Sequence, residues 1–120
     1  MAESQRLYLR GDIVQARFDP TEGSEQSGVR PAIVLSPTVV NRRSPMLILA
    51  PLTTRNTERV YPHEARIIAG DVVPRTSKVL LGQLRSLSKS RVLSYYGHVS
   101  DTTMLAVDAA LKIAVGLDKI

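Results

Sequence analysis

MLILAPLT, Met46 to Thr53, is apolar except at its last residue and lies between Ser44-Pro45 and the polar run TTRNTERVYP, Thr53 to Pro62. A strand with one wet face alternates, whereas an unbroken apolar run bounded by turn residues marks a strand covered on both faces. Met46–Thr53 is therefore expected to be the central strand. PAIVLS, Pro31 to Ser36, is a second continuous apolar strand, with Pro31 at its first position, where a missing N–H is tolerated. Upstream, GDIVQARFD sets Ile13, Val14, Ala16 and Phe18 against Asp12, Gln15 and Arg17 and reads as the first strand. Downstream, HEARI (His63 to Ile67) reads as a half-buried strand. SKVLLGQLRSL (Ser77 to Leu87) carries one or two more, with Gly82 a bulge or bend, and RVLSYYGHVS ends the β-rich part. Residues Thr38 to Ser44, with Asn41, Arg42 and Arg43, read as an irregular basic connection.

The period changes after Ser100-Asp101, a good helix start. Met104, Val107, Leu111, Ala114 and Val115 recur at helical spacing and predict an amphipathic helix to about Leu117, its stripe serving as core or dimer surface. Short strands followed by one helix predict an α+β, mostly β domain, a small barrel with a C-terminal α-helix. At 120 residues, one domain spanning 1–120 is expected.

Composition narrows the function. The chain has no cysteine, which excludes disulfides, thiolate catalysis and cysteine-held metals. Its two histidines, His63 and His98, are far apart and in no metal-ligand spacing, so no metal and no cofactor are expected. No apolar run approaches the roughly 20 residues of a membrane span, and MAESQRLYLR lacks the apolar core of a secretory signal, so a cytoplasmic protein with no membrane partner is expected. The formal charge of +5 fits a polyanionic partner. Four tyrosines and one phenylalanine are few for an aromatic stacking platform, so recognition of a nucleic acid would rest on polar loops and charge.

One loop concentrates polar groups. GSEQSGVRP, Gly23 to Pro31, packs two glycines, hydroxyls, a carboxylate, an amide and a guanidinium directly before the PAIVLS strand. With RGDIV (Arg10 to Val14), NRRSP (Asn41 to Pro45), LAPLT (Leu49 to Thr53), VLLGQLRSLSKSR (Val79 to Arg91) and VDAALKIAVGL, it resembles the MazF/PemK family of toxin endoribonucleases over roughly Arg10 to Leu117. The resemblance implies an SH3-like barrel working as a homodimer, metal-independent sequence-specific cleavage of single-stranded RNA, and neutralisation by a cognate MazE-like antitoxin with an acidic tail. It carries the family's arginine and threonine onto Arg30 and Thr53, with Thr54 one register step away, and its acidic residue onto Glu25. The RNA-lining serine and glutamines fall on Ser24, Gln26 and Gln83, and Arg42, Arg85 and Lys89 are further candidates for RNA contact. One departure is visible: Gly82 precedes Gln83, where many family members carry an acidic residue.

The chemistry is consistent with those residues. Attack of a ribose 2′-OH on the adjacent phosphorus needs a base, a proton for the leaving 5′-oxygen and positive charge at the phosphorane. Neither histidine lies in the motif loops, so Glu25 is the conventional base by elimination. Arg30 offers a planar fork matched to a phosphate, and Thr53 a hydroxyl to the same group. Which of Glu25 and Arg30 moves which proton stays open at this level. The alternative is a toxin of the same fold that poisons DNA gyrase by docking alone.

Overall fold

The computed structural model describes residues 6–120. The first five residues lie outside it, and with them half of the segment read for a secretory signal. Seven strands and two helices follow in the order β1 (Asp12–Arg17), β2 (Val29–Val34), α1 (Thr38–Asn41), β3 (Met46–Thr53), β4 (Glu64–Ile67), β5 (Ser77–Leu80), β6 (Arg85–Ser88), β7 (Val92–His98) and α2 (Asp101–Ala114). Among the described residues no helix is long and apolar enough to cross a membrane.

β3 is central, as its apolar run predicts. One edge pairs antiparallel with β2 through Ala32↔Pro51, Ile33↔Ala50 and Val34↔Leu49. The other edge is shared. β6 takes the first half, from Met46↔Ser88 to Leu49↔Arg85, and β5 takes the end, with Leu52↔Val79 and Thr53↔Lys78. The sheet continues from β2 through β1 to β7 and from β5 to β4. A single 3₁₀ turn, Lys89–Arg91, joins β6 to β7, so the strands curl into a small, partly open SH3-like barrel.

Side chains on successive strand residues point to opposite faces, and the core is accordingly split in two. Ile13, Ile33, Ala50 and Leu52 face a cluster that α2 closes with Val107 and Ala110. Val14, Ala16, Ala32, Val34, Leu47 and Leu49 face the other cluster, built with Tyr8, Phe18, Leu87 and Val92. Each fully buried aliphatic side chain contributes about 1.5–3 kcal/mol relative to exposure. The first half of β3 is covered on one face only, leaving Met46 and Ile48 exposed, while Leu49 to Thr53 are all buried.

Several local expectations are refined. Thr38–Asn41 is a helical turn rather than an irregular connection, because buried Asn41 folds back to hydrogen-bond Ser36 and the Tyr8 carbonyl. Gly82 lies in a 3₁₀ turn, Leu81–Gln83, which bends the chain between β5 and β6. β2 starts at Val29, and Pro31 faces Gln15 of β1 below the point where the β3 ladder begins. α2 starts as read, with Ser100 Oγ accepting from the Thr103 N–H. It stops at Ala114 because Gly116, at φ +80°, turns the chain so that Gly116 and Leu117 N–H donate to the carbonyls of Ile113 and Lys112. Val115 consequently leaves the stripe and is half exposed, and Ala110 joins it.

Candidate functional site

The loop between β1 and β2 is anchored at its base and open at its tip. Phe18 N–H donates to the Gly28 carbonyl, Arg85 donates to the Phe18 carbonyl at 3.1 Å, and Arg91 donates to the Asp19 carbonyl. Gly23 (φ +58°) and Gly28 (φ +76°) adopt left-handed backbone, and a Cβ at either would meet nothing within 4 Å. These glycines therefore serve the turn geometry rather than a close approach. The tip is tied sideways by one bond, Gln26 N–H to Gln83 Oε1 at 2.8 Å. Gln83, 57 residues away in sequence, thus holds the loop in place through its side chain.

The loop walls one side of a cleft of about 550 Å³ whose other side is the end of β3. Arg30, Thr53 and Thr54 line it, together with Ser24, Glu25 and Gln26. Arg30 directs its Nε–H to the Ser27 carbonyl at 2.9 Å, which orients the guanidinium. Burial lowers its pKa, as does the neighbouring Arg55 charge, against an opposing pull from Asp19. Thr53 is 9% exposed, and its Oγ1 accepts the Arg55 N–H at 3.2 Å. Having accepted from the backbone, that hydroxyl keeps its own proton free to donate into the cleft. Thr54 lines the same cleft and is exposed, so both register alternatives sit at its wall.

A second cleft of about 410 Å³ adjoins the first through Glu25 and Gln26 and adds Gln83 and Arg85. Glu25 does not pair with Arg30. Its carboxylate accepts the Glu22 N–H at 3.1 Å and stands 4.0 Å from an Arg85 guanidinium nitrogen. Arg42 and Lys89 are elsewhere. Lys89 Nζ donates to the Asn41 carbonyl beside the Met46 end of β3, and Arg42 caps α1 there. Eight strand residues put that end roughly 23 Å from Thr53.

His63 stacks loosely on Tyr61, with ring centroids 6.1 Å apart, and His98 Nδ1 lies 2.9 Å from the buried Asp12 carboxylate. Neither histidine lines the two clefts. Among the described residues no group of three or more His, Cys, Asp or Glu side chains could hold a metal ion. Sequence reading passed over Arg55, which lines the first cleft beside Arg30, and Ser77, whose strand β5 packs on the end of β3. Arg55 lies two residues past the motif threonine inside a polar run, where an arginine is ordinarily a solvated side chain, so only its proximity to Arg30 singles it out.

Residues 9–115 match the family model described as "PemK-like, MazF-like toxin of type II toxin-antitoxin system". MazF from Deinococcus radiodurans is 30% identical with a TM-score of 0.79, over 92% of this chain and 98% of that one. A MazE-MazF structure from the same organism is 30% identical with a TM-score of 0.73, over 94% and 99%. An endoribonuclease in complex with its cognate antitoxin, from a mycobacterial species, is 25% identical with a TM-score of 0.79, over 94% and 99%.

Proposed function

The chain belongs to the PemK-like, MazF-like toxins of type II toxin–antitoxin systems, and on that premise we propose that it is a metal-independent, sequence-specific endoribonuclease of single-stranded RNA. The observation that carries this reading is the meeting of Arg30 and Thr53 in one cleft, with the Glu25 carboxylate on its rim. Cutting mRNA in the cytoplasm would halt translation and growth, which is a toxin's effect.

In the reaction the ribose 2′-oxygen attacks the adjacent phosphorus, and its proton passes to a base, Glu25. The bond from phosphorus to the 5′-oxygen breaks, that oxygen takes a proton, and the products are a 2′,3′-cyclic phosphate and a 5′-hydroxyl. Arg30 forks onto the phosphate and stabilises the charge that develops there. Burial, the largest cause of its lowered pKa, eases proton donation to the leaving oxygen. Thr53 donates its free hydroxyl proton to the phosphate. Each proton-transfer group is worth about 10²–10⁴-fold and a well-aimed donor about 10²–10³-fold. Ser24, Gln26, Gln83, Thr54 and Arg85 line the two clefts and hold flanking nucleotides.

The chain acts as a homodimer and is neutralised by a cognate antitoxin whose acidic tail covers the basic cleft. An apolar groove of about 660 Å³ beside α2 supports self-association, since Leu105 (73% exposed), Leu117 (79%), Val115 and Ile48 present it to solvent. The test is to incubate the purified protein with a long single-stranded RNA in EDTA and map the ends. Cleavage at one recurring short sequence, leaving 2′,3′-cyclic phosphates, is the expected result. Cleavage lost on chelation would overturn metal independence, and intact RNA at micromolar protein with DNA gyrase inhibited would overturn the enzyme itself.

A further inference from the structure

The first cleft holds two guanidinium groups, and the chemistry above uses one. Arg55 lines the same wall as Thr53, and its Cα lies within about 7 Å of the Thr53 Cα because two residues cannot reach further. Its N–H, donating to Thr53 Oγ1 at 3.2 Å, fixes the turn that carries it. Among the described residues no carboxylate lies within ion-pair distance of its side chain. The carboxylate of the cleft, Glu25, is already engaged by the Glu22 N–H and Arg85. Arg30 has no ion-pair partner among the described residues either, and the charge of Arg55 bears on it directly. Asp19 offsets the charge of Arg30 only from beyond ion-pair distance, so the two like charges repel and an anionic ligand relieves the repulsion.

One phosphodiester does not satisfy both guanidiniums. It carries a single negative charge, which the Arg30 fork matches, so the charge of Arg55 is left for a second anion. The next anion along a nucleic-acid strand is the neighbouring phosphodiester. We propose that Arg55 binds the phosphodiester adjacent to the scissile one and so holds the strand in register over Thr53. This rests on the endoribonuclease reading above and deepens it. Arg55 is a substrate-binding residue that takes no part in proton transfer.

The test uses a thermodynamic cycle. Oligoribonucleotides spanning the mapped cleavage sequence carry a 2′-deoxy group at the cleavage position, so that they bind without being cut. Each carries one neutral methylphosphonate, at the scissile phosphate or at either neighbour. Wild-type protein should lose about tenfold in affinity when one neighbouring phosphate is neutralised, the worth of one charge-assisted contact. Arg55→Ala should lose the same tenfold on the all-phosphate strand and nothing further on that neutralised one. Its log K against log salt should be shallower by about 0.7, the share of one phosphate on a single strand. Arg55→Lys should recover most of the affinity, and on cleavable RNA the loss in Arg55→Ala should fall on KM rather than on kcat.

Additive losses at every phosphate would overturn the proposal, because Arg55 would then touch none of them. Coupling at the scissile phosphate with a kcat loss of about 100-fold would also overturn it, by placing Arg55 in the reaction centre. Wild-type protein that neither binds nor cuts RNA would remove the endoribonuclease reading and this assignment together. Wild-type cleavage without coupling would remove this assignment alone.

Discussion

The two ends of β3 carry polar groups put to opposite uses. At the Met46 end, Asn41 is 0% exposed and fully engaged. Its Nδ2 donates to the carbonyls of Tyr8 and Ser36, each at 3.0 Å, and its Oδ1 accepts from Ser36 Oγ at 2.6 Å. Ser36 Oγ accepts in turn from the Ile48 N–H, and Lys89 Nζ donates to the Asn41 carbonyl. At the Thr53 end, Arg30 and Arg55 share an open cleft with no ion-pair partner among the described residues. A buried polar group must be satisfied internally, because an orphan costs about 1–3 kcal/mol. A polar group at a wetted cleft can wait for a ligand. The closed network is architecture and the open one is a candidate site, although both are built from ordinary polar residues near the ends of one strand.

The sharpest way to break that contrast is Arg30→Ala. Cleavage is expected to fall by about 10²–10⁴-fold, while thermal unfolding stays within a degree or two of wild type because the side chain donates one exposed bond. An unfolded Arg30→Ala protein would place Arg30 with the closed network. Asn41→Ala is the mirror experiment. Losing three buried hydrogen bonds is expected to cost about 2–4 kcal/mol in urea unfolding, with the activity of the folded fraction unchanged. Equal stability would mean that water fills the gap.

Thr53→Val keeps the buried shape and removes the hydroxyl, so a loss of about 10²–10³-fold in kcat is expected with little change in KM. Thr54→Ala serves as the control that settles the register, and a larger loss there would transfer the role to Thr54. The smallest effect lies outside both ends and calibrates them. Burial raises the pKa of Asp71, but hydrogen bonds from the Thr103 and Ser100 side chains and the Ser100 N–H outweigh it, so the net shift is downward. A carboxylate lowered in the folded state contributes stability above its unfolded value, about pH 4, and loses it as pH falls through the folded value. Asp71→Asn should remove that acid-limb slope, and Ser100→Ala should cost about 1 kcal/mol by uncapping α2.

Much of the fold was legible in the chain because periodicity is local. The apolar run of Met46–Thr53 has the composition of a doubly covered strand, and it became the strand shared by β2, β5 and β6. The α2 stripe was read correctly at Val107 and Leu111, but Val115 escaped it because the Gly116 turn ends the helix first. The helical turn at Thr38–Asn41 was missed, since its cause is a tertiary one, the docking of Asn41 beneath Tyr8 and Ser36. Within the candidate site, Ser24, Glu25, Gln26 and Arg30 were legible because they lie close together in sequence, in one loop and the start of β2. Arg42 and Lys89 looked equally basic in sequence, yet they line neither cleft and sit at the far end of β3.

The sequence by itself therefore determined which segments are strands, where the helix begins, and which loop carries a carboxylate, an amide and a guanidinium together. Those properties depend on neighbours a few residues apart. Only the tertiary structure decided that Gln83 would hold the loop through the Gln26 N–H, and that Arg55 would stand beside Arg30. Hydrophobic burial selects elements by their own patterning, whereas charges meet according to where distant strand ends are brought by the closing sheet.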